Sequence, residues 1–179
     1  MKYVIFDRDG TLIVEKNYLS NPDEVCLIDG VKQGLIILKN LGFEFVVITN
    51  QSGIARNYYS IDDCNKVNQR LSDILAKFNV EIKKYYICPH HPDFSGKCNC
   101  RKPETGLLEK AIEDFDIDID NSYFVGDKCS DIICGQRKNI KSVLLMSGYG
   151  KTEINKCKAD LSFENMLEFA REVERGLKS

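Results

Sequence analysis

The chain has 179 residues, of which 43% are hydrophobic, and its 25 basic and 27 acidic side chains give a formal net charge of −2. This length predicts one domain, and the charge balance argues against a nucleic-acid partner. The apolar start at Tyr3–Phe6 is too short for a signal peptide, and no apolar run is long enough to span a membrane. We therefore expect a cytoplasmic protein without a membrane partner, with a monomer as the default.

Predicted strands alternate with predicted helices along the chain. Strands are expected at Tyr3–Phe6, Glu44–Ile48, Lys83–Ile87, Tyr123–Val125 and Lys141–Leu145, and helices at Gly30–Leu41, Ile61–Phe78, Glu104–Phe115, Ser130–Lys138 and Phe163–Arg175. The alternation predicts an α/β fold: a three-layer, Rossmann-like parallel sheet with helices on both faces. The connections are too short for a cap domain, so residues 1–179 are expected to form a single domain.

Two acidic residues follow the first predicted strand directly. Asp7 and Asp9 are two residues apart, so their side chains lie on the same side of the chain as it leaves the sheet. Two carboxylates this close repel each other, and a hard divalent cation such as Mg²⁺ would relieve the repulsion. An isolated pair of this kind is more often a solvated turn, so its interpretation depends on the other residues near it.

Other predicted strand ends carry side chains suited to phosphoryl transfer. The chemistry needs polar donors, a fixed cation and carboxylates for a metal. The candidates are Thr49, Asn50, Lys102, Asp127, Lys128 and Asp131. Because ligands of parallel sheets bind beyond the carboxyl ends of the strands, we expect these residues to converge with Asp7. Asp7 would then attack phosphorus, and Asp9 would act as general acid and base.

Residues 88–100 are predicted to form a zinc-binding loop. Cys88 and His90 make one pair of ligands, and Cys98 and Cys100 make another, so together they can surround a tetrahedral Zn²⁺. Four filled positions leave none for substrate, so the zinc would be structural. His91 is the rival imidazole, but the Cys-x-His spacing favours His90 and leaves His91 exposed.

The remaining cysteines are scattered along the chain. A disulfide framework is not expected in a cytoplasmic protein. We therefore expect buried or inert thiols at Cys26, Cys64, Cys129, Cys134 and Cys157.

Four ordered motifs resemble those of the haloacid-dehalogenase-like phosphatases. They are Asp7–Thr11, Thr49–Gly53, Arg101–Pro103 and Val125–Lys128, each at or near a predicted strand end. The match extends from Asp7 to at least Asp131. One motif alone would be weak, but four in order are a specific signal.

The resemblance implies roles for individual residues. Mg²⁺ would be held by the Asp7 carboxylate, the Asp9 backbone carbonyl and Asp127, with Asp131 as outer support. Lys102 would steady the phosphoryl group. The motif that begins at Thr49 adds Asn50, Gln51 and Ser52 to the phosphate- and substrate-binding set.

A narrower resemblance concerns the substrate. Cys88–Pro103 is similar to the D-glycero-D-manno-heptose-1,7-bisphosphate 7-phosphatases and is shared with histidinol-phosphate phosphatases. For a heptose bisphosphate, Arg101 would bind the distal phosphate, because a guanidinium matches phosphate geometry. Lys128 and the loop Glu15–Tyr18 would face the sugar, although an ordinary solvated loop is an equal alternative for Glu15–Tyr18. The family often has Asn where this chain has Ile13, so the finer sugar contacts differ.

Three alternatives remain open at this stage. The same chemistry could act on histidinol phosphate. The chain could be a non-catalytic phosphate- or zinc-binding protein on this fold, although it keeps both Asp7 and Asp9 together with Lys102 and Asp127. Least favoured is a phospho-acceptor domain of a signalling relay, which needs neither a zinc loop nor a second Asp. The leading hypothesis is a sugar-bisphosphate phosphatase that serves the synthesis of surface polysaccharide.

Overall fold

The computed structural model describes residues 1–178. Six strands form one sheet in which every neighbouring pair is parallel, in the order β3-β2-β1-β4-β5-β6. The strands are β1 (Tyr3–Phe6), β2 (Glu44–Asn50), β3 (Lys84–Cys88), β4 (Tyr123–Gly126), β5 (Lys141–Leu145) and β6 (Leu161–Phe163). The predicted parallel α/β sheet is confirmed.

Eight helices connect or follow the strands. They are α1 (Val31–Asn40), α2 (Ser52–Ala55), α3 (Ile61–Ala76), α4 (Pro92–Ser95), α5 (Gly106–Phe115), α6 (Cys129–Gln136), α7 (Gly150–Glu153) and α8 (Met166–Lys178). Between β1 and α1 the chain forms a single 3-10 turn at Pro22–Glu24. None of the helices within the described residues is long and apolar enough to cross a membrane.

Two hydrophobic cores lie on opposite faces of the sheet. Side chains alternate along β1, so Val4 and Phe6 enter one core, whereas Tyr3 and Ile5 enter the other. The first core includes Leu35 of α1, Leu71 of α3 and Phe169 of α8, and the second includes Leu108 of α5 and Cys134 of α6. Both faces are therefore covered, as the apolar strands predict.

The predicted closing helix began too early. Phe163 lies in β6, where it pairs with Leu145, and α8 begins only at Met166. The side chain of Asn165 accepts a hydrogen bond from the Glu168 amide at 3.0 Å, which marks the true helix start. Strand β6 and the four-residue helices α2, α4 and α7 were not predicted, because such short segments show no clear periodicity.

The strand order fixes the position of the site. Chain connections turn in opposite directions from β1, since β2 and β3 lie on one side of it and β4 to β6 on the other. Such a switch point leaves a crevice beyond the carboxyl ends of the two central strands, here β1 and β4.

Candidate active site

Three carboxylates meet at this crevice. Asp7 follows β1, Asp127 follows β4, and Asp131 lies in the first turn of α6; all three are buried. Each offers an oxygen to a cluster whose atoms lie within 4.8 Å of one another. The Asp7 amide donates to the Val125 carbonyl at 3.0 Å, which continues the β1–β4 pairing to the site. Asp131, predicted as outer support, therefore lies in the same cluster as Asp7 and Asp127.

Close backbone approach shapes the surroundings of Asp127. Gly10 has a φ of +84°, and a Cβ atom there would overlap the Asp127 carboxylate. The Tyr149 amide donates to Asp127 Oδ2 at 2.8 Å, and the Thr11 hydroxyl donates to Oδ1 at 3.5 Å. The Ser147 hydroxyl donates to the Gly10 carbonyl at 2.8 Å. The segment after β5, which was not predicted to belong to the site, thus fixes both the Asp127 side chain and the Asp7–Thr11 loop.

Lys102 is the central cation of the cluster. Its side chain is only 2% exposed, and its ammonium lies 2.9 Å from Asp7 Oδ1 and 2.7 Å from Asp131 Oδ1. It also donates to the Ile48 carbonyl at 2.6 Å. Burial by itself would lower the pKa of Lys102, but the two carboxylates outweigh it and the pKa lies above its ordinary value. The predicted role as a fixed positive charge fits this geometry.

Asn50 holds Lys102 through its main chain. The Asn50 side chain accepts from the Lys102 amide at 3.0 Å and donates to the Lys102 carbonyl at 3.1 Å. Thr49 and Asn50 are the last two residues of β2, rather than residues beyond it as predicted. The Asn50 amide is therefore engaged with the protein, and a direct contact with phosphate stays a prediction.

Burial raises the pKa values of the three acidic residues, whereas neighbouring charges lower some of them and raise others. Burial raises the pKa of Asp7, but the charges of Lys102 and Lys128 outweigh it, and the pKa lies below its ordinary value. Burial, followed by repulsion from Asp7 and Asp131, raises the pKa of Asp127 to about 8. Burial raises the pKa of Asp131 to about 6, against the opposing charge of Lys102. Asp7 is therefore an anion at neutral pH, as a nucleophile must be.

The donor set fits Mg²⁺. Three buried carboxylates face one another, and burial together with repulsion from Asp7 and Asp131 raises the pKa of Asp127, so its charged form is disfavoured without a cation. Hard divalent cations prefer carboxylate oxygens and would relieve this repulsion. The oxygens come from Asp7, Asp127 and Asp131. The predicted contribution of the Asp9 carbonyl stays a prediction.

A separate network fixes Asp9. Arg8, which is fully buried, lies 2.9 Å from Asp9 Oδ2 and donates to Oδ1 at 3.3 Å. The Gln51 side chain donates to Asp9 Oδ2 at 2.7 Å, and the Tyr59 hydroxyl donates to Gln51 Oε1 at 2.6 Å. Arg8 in turn donates to Asn68 Oδ1 on α3 at 2.8 Å. Arg8 and Tyr59 were missed, although Arg8 stands between the two predicted catalytic acids.

A cavity of about 320 Å³ opens above these groups. It is lined by all the residues predicted for catalysis and substrate binding: Asp7, Asp9, Thr49, Asn50, Gln51, Ser52, Arg101, Lys102 and Lys128. Unpredicted lining residues include Tyr59, Ser130 and Tyr149, and Glu15, Asn17 and Tyr18 come from the loop expected to face a sugar. Ile13 is fully buried in the first core, so it does not belong to the cavity wall.

The predicted zinc ligands form a second cluster. One atom each from Cys88, His90, Cys98 and Cys100 lies within 4.8 Å of the others. His90 Nδ1 is 3.2 Å from Cys100 Sγ, and Cys88 Sγ is 3.8 Å from Cys98 Sγ. Three thiols and one imidazole converging on one point form a donor set that suits tetrahedral Zn²⁺.

The prediction that His91 is exposed is wrong. Its side chain is 17% exposed, and its Nδ1 accepts from the Asp93 amide at 3.2 Å at the start of α4. Its other ring nitrogen lies 3.2 Å from Arg56 Nη2, and its ring packs edge-on against Phe94 with centroids 5.4 Å apart. The imidazole thus caps a helix that the sequence analysis did not predict.

The expectation for the other cysteines is only partly correct. Cys64 and Cys134 are buried thiols, but Cys26 is exposed. Cys129 and Cys157 are joined in a disulfide, contrary to the expectation of inert thiols. The packing of the segment after α7 against the start of α6 brings them together across 28 positions of sequence, a proximity that spacing alone does not reveal.

Comparison with known proteins is consistent with this geometry. A family model described as polynucleotide kinase 3 phosphatase matches residues 2–173. The D-glycero-beta-D-manno-heptose-1,7-bisphosphate 7-phosphatase of Pasteurella multocida (strain Pm70) is 39% identical over 185 residues, covering 100% of both chains. The chain belongs to the heptose-bisphosphate phosphatase family. An alpha-anomer enzyme of this family, from Photorhabdus laumondii, is 37% identical and covers 86% of this chain and 87% of its own.

Solved structures give the same result for this heptose-bisphosphate phosphatase family member. The D,D-heptose 1,7-bisphosphate phosphatase from B. bronchiseptica, complexed with magnesium and phosphate, is similar with a TM-score of 0.90 and 26% identity, covering 98% of this chain and 99% of that one. A putative HAD-like phosphatase from Mesorhizobium loti has a TM-score of 0.77 and 31% identity, covering 81% and 72%. The phosphatase fold predicted from the four motifs is confirmed. Relatives named for either anomer are almost equally similar, so identity does not separate the anomers.

Proposed function

We propose that this protein is a Mg²⁺-dependent phosphatase that removes the 7-phosphate of D-glycero-D-manno-heptose 1,7-bisphosphate for the synthesis of surface polysaccharide. The observation that carries the proposal is the buried Asp7 carboxylate, 2.9 Å from the Lys102 ammonium and clustered with Asp127 and Asp131. A nucleophile, a fixed cation and metal-binding carboxylates are the parts that phosphoryl transfer requires. The full-length similarity to a phosphatase named for this substrate supports the choice of sugar.

The reaction proceeds in two steps at Asp7. First, a carboxylate oxygen of Asp7 bonds to phosphorus while the bond from phosphorus to the sugar oxygen breaks, and Asp9 gives its proton to that oxygen. Second, Asp9 takes a proton from water, whose oxygen attacks phosphorus and releases inorganic phosphate from Asp7. Lys102 neutralises phosphoryl oxygens in both steps. Bound Mg²⁺ supplies further neutralisation of the phosphoryl and carboxylate charge.

The hydrogen bonds around Asp9 fix the orientation of its carboxyl group, which would act as acid and base. Arg8 and Gln51 both bind Asp9, and the Tyr59 hydroxyl fixes the amide of Gln51. The Asp9 side chain is 13% exposed, so it reaches the cavity while its other contacts are internal. A held carboxyl next to the nucleophile suits proton transfer to a leaving oxygen.

A structural Zn²⁺ at the cysteine–histidine cluster would fix the loop before the phosphate-binding residues. Arg101 follows the ligand Cys100 directly and donates to the carbonyl of the ligand His90 at 3.2 Å. Arg101 also lines the cavity, where its remaining donors would bind the distal phosphate of the sugar. The zinc would thus position the guanidinium without taking part in the reaction.

The proposal also covers the domain organisation, the oligomeric state and the location of the enzyme. We propose a single-domain, monomeric enzyme without an added cap, acting in the cytoplasm on a small phosphorylated sugar. The net charge of −2 offers no general attraction for nucleic acid or an anionic membrane. Size-exclusion chromatography with light scattering would test the monomer, for which a mass near 20.4 kDa is expected.

Phosphate release tests the function. Purified protein would be assayed in Mg²⁺ and in EDTA with both anomers of heptose bisphosphate, histidinol phosphate, simple sugar phosphates and a 3′-phosphorylated oligonucleotide. The last substrate is included because of the name of the matching family model. We expect Mg²⁺-dependent turnover with the highest kcat/KM on one heptose anomer.

Other outcomes would change the assignment. A kcat/KM on histidinol phosphate or on the oligonucleotide that equals or exceeds the heptose value would reject the heptose substrate but keep the chemistry. Turnover that persists in EDTA would reject the magnesium dependence. No turnover of any phosphate ester would favour the non-catalytic alternative.

A further inference from the structure

Lys128 is held between two unlike partners at the cavity wall. Its ammonium lies 3.5 Å from Glu15 Oε2 and 4.7 Å from the centroid of the Tyr149 ring. All three residues line the cavity that contains Asp7. An ammonium has three donors, and the Glu15 contact uses one, so donors remain for a ligand in the cavity.

The position of the Tyr149 ring is determined by its main chain. The Tyr149 amide donates to Asp127 Oδ2 at 2.8 Å, and its carbonyl accepts from the Thr152 hydroxyl at 2.8 Å and the Glu153 amide at 3.1 Å. These bonds do not involve the side chain. The residue is 40% exposed. A change in the ring therefore leaves the support of Asp127 in place, and the two roles of Tyr149 can be separated.

Lys128 and Asp7 line the same cavity. The phosphoryl group would sit at Asp7, and the first groups beyond it are the leaving oxygen and the neighbouring hydroxyls of the leaving group. Lys128 presents donors there, and Glu15, whose side chain is 21% exposed, presents acceptors. A donor and an acceptor side by side can both bind a pair of adjacent hydroxyls. Sugars carry such pairs on neighbouring carbon atoms.

We propose that Tyr149 is a positioning residue for Lys128, which with Glu15 forms the cavity wall already expected to face the hydroxyl-bearing part of the leaving group. The inference rests on the proposed phosphatase function and deepens it. The cation–π contact with Tyr149 and the ion pair with Glu15 hold the ammonium at the cavity wall. This wall selects phosphate esters of polyhydroxylated compounds over phosphates with a small, hydroxyl-free leaving group, such as acetyl phosphate.

Substitutions of Tyr149 separate this role from a structural one. Tyr149→Leu removes the ring face, whereas Tyr149→Phe keeps the ring and removes only the hydroxyl. The readout is the ratio of kcat/KM for the preferred heptose bisphosphate to kcat/KM for acetyl phosphate. We expect Tyr149→Leu to lower this ratio about three- to tenfold, mainly through a higher KM for the sugar, and Tyr149→Phe to stay within about twofold of wild type.

A double-mutant cycle tests whether Tyr149 acts through Lys128. Lys128→Met should lower the ratio at least as much as Tyr149→Leu, and Tyr149→Leu should have no further effect in the Lys128→Met background. Additive effects would overturn the positioning role. Equal losses on both substrates, or a loss in Tyr149→Phe as large as in Tyr149→Leu, would overturn it as well.

Failure of the proposed function gives a different result. If the wild-type enzyme prefers another sugar phosphate, the heptose assignment fails, and the same comparison on that sugar supports or rejects the role of Tyr149. If the wild-type enzyme hydrolyses acetyl phosphate as efficiently as every sugar phosphate, selection by this wall is rejected while the phosphatase chemistry stands.

Discussion

Replacing Asp127 by Asn would isolate the electrostatic cost of the metal site. Asp127 is fully buried, and its carboxylate accepts from the Tyr149 amide at 2.8 Å and the Thr11 hydroxyl at 3.5 Å. Asn has almost the same shape, and its carbonyl oxygen can keep the bond from Tyr149. The substitution therefore removes mainly the ability of this buried group to ionise beside Asp7 and Asp131.

The effect on stability follows from the pKa of Asp127, which burial and its acidic neighbours raise to about 8 in the folded protein. In the unfolded chain it returns to about 3.9. At a pH below that value, Asp127 is protonated in both the folded and the unfolded protein, so it does not make the free energy of unfolding depend on pH. Between pH 4 and 8 only the folded protein keeps the proton, so the free energy of unfolding of the metal-free protein falls as pH rises.

The magnitude is set by that pKa difference. It corresponds to about 5 kcal/mol at pH 8. Burial is the largest cause of this cost and repulsion from Asp7 and Asp131 adds to it; because the three acids titrate as a coupled group, a neutral amide at this position should recover about 2–4 kcal/mol of it. Asp127→Asn should therefore be more stable than wild type at pH 8 in EDTA, and the gain should shrink toward pH 5. Added Mg²⁺ should stabilise the wild type more than the variant, because binding to the folded state raises stability.

Urea unfolding followed by circular dichroism at pH 5 and pH 8, with EDTA or Mg²⁺, would measure these differences. Asp114→Asn is the matched control. Hydrogen bonds from Lys84 and Tyr86 lower the pKa of Asp114, so loss of its charge should destabilise the protein, the opposite sign. If Asp127→Asn is less stable than wild type at pH 8 in EDTA, the account of surplus negative charge is refuted.

Asp7→Asn should abolish phosphate release with fold and zinc content unchanged, because the amide cannot act as the nucleophile; continued turnover would exclude Asp7 from that role. Cys98→Ser should lower zinc content and Tm in metal analysis and calorimetry before turnover falls, whereas Cys26→Ser, at an exposed thiol, should change neither. Replacing Cys129 and Cys157 by Ser should lower the free energy of unfolding by about 3–4 kcal/mol in oxidised samples, the loop-closure value for a separation of 28 residues. An unchanged urea midpoint would contradict it.

The Cys129–Cys157 disulfide needs an oxidising environment, whereas the proposed location is the cytoplasm. A reducing compartment keeps most thiols free. Cys129 begins α6, two residues before Asp131, and Cys157 follows α7. The stability difference between oxidised and reduced protein therefore bears directly on the state in which the enzyme works.

The local sequence predicted five of the six strands and both groups of candidate metal ligands, although it assigned Asp131 only a supporting part. Apolar runs such as Tyr3–Phe6 end abruptly at a charged residue, and that pattern needs no tertiary information. Parallel strands present their carboxyl ends at one edge, so Asp7 and Asp127 were expected at the same edge, and the pairing of β1 with β4 brings them together. The paired ligands around Cys88 and Cys98 are likewise a property of spacing.

Only the tertiary structure decided how the site is supported. Asn50 binds the Lys102 main chain, and the Tyr59 hydroxyl reaches Asp9 through Gln51. These contacts join segments whose relative orientation depends on helix packing. The hydrophobic periodicity of one segment does not predict that orientation. For the same reason the Cys129–Cys157 disulfide and the Tyr149 contact with Lys128 could not be predicted from the sequence, which predicted reacting groups but not the residues that hold them in place.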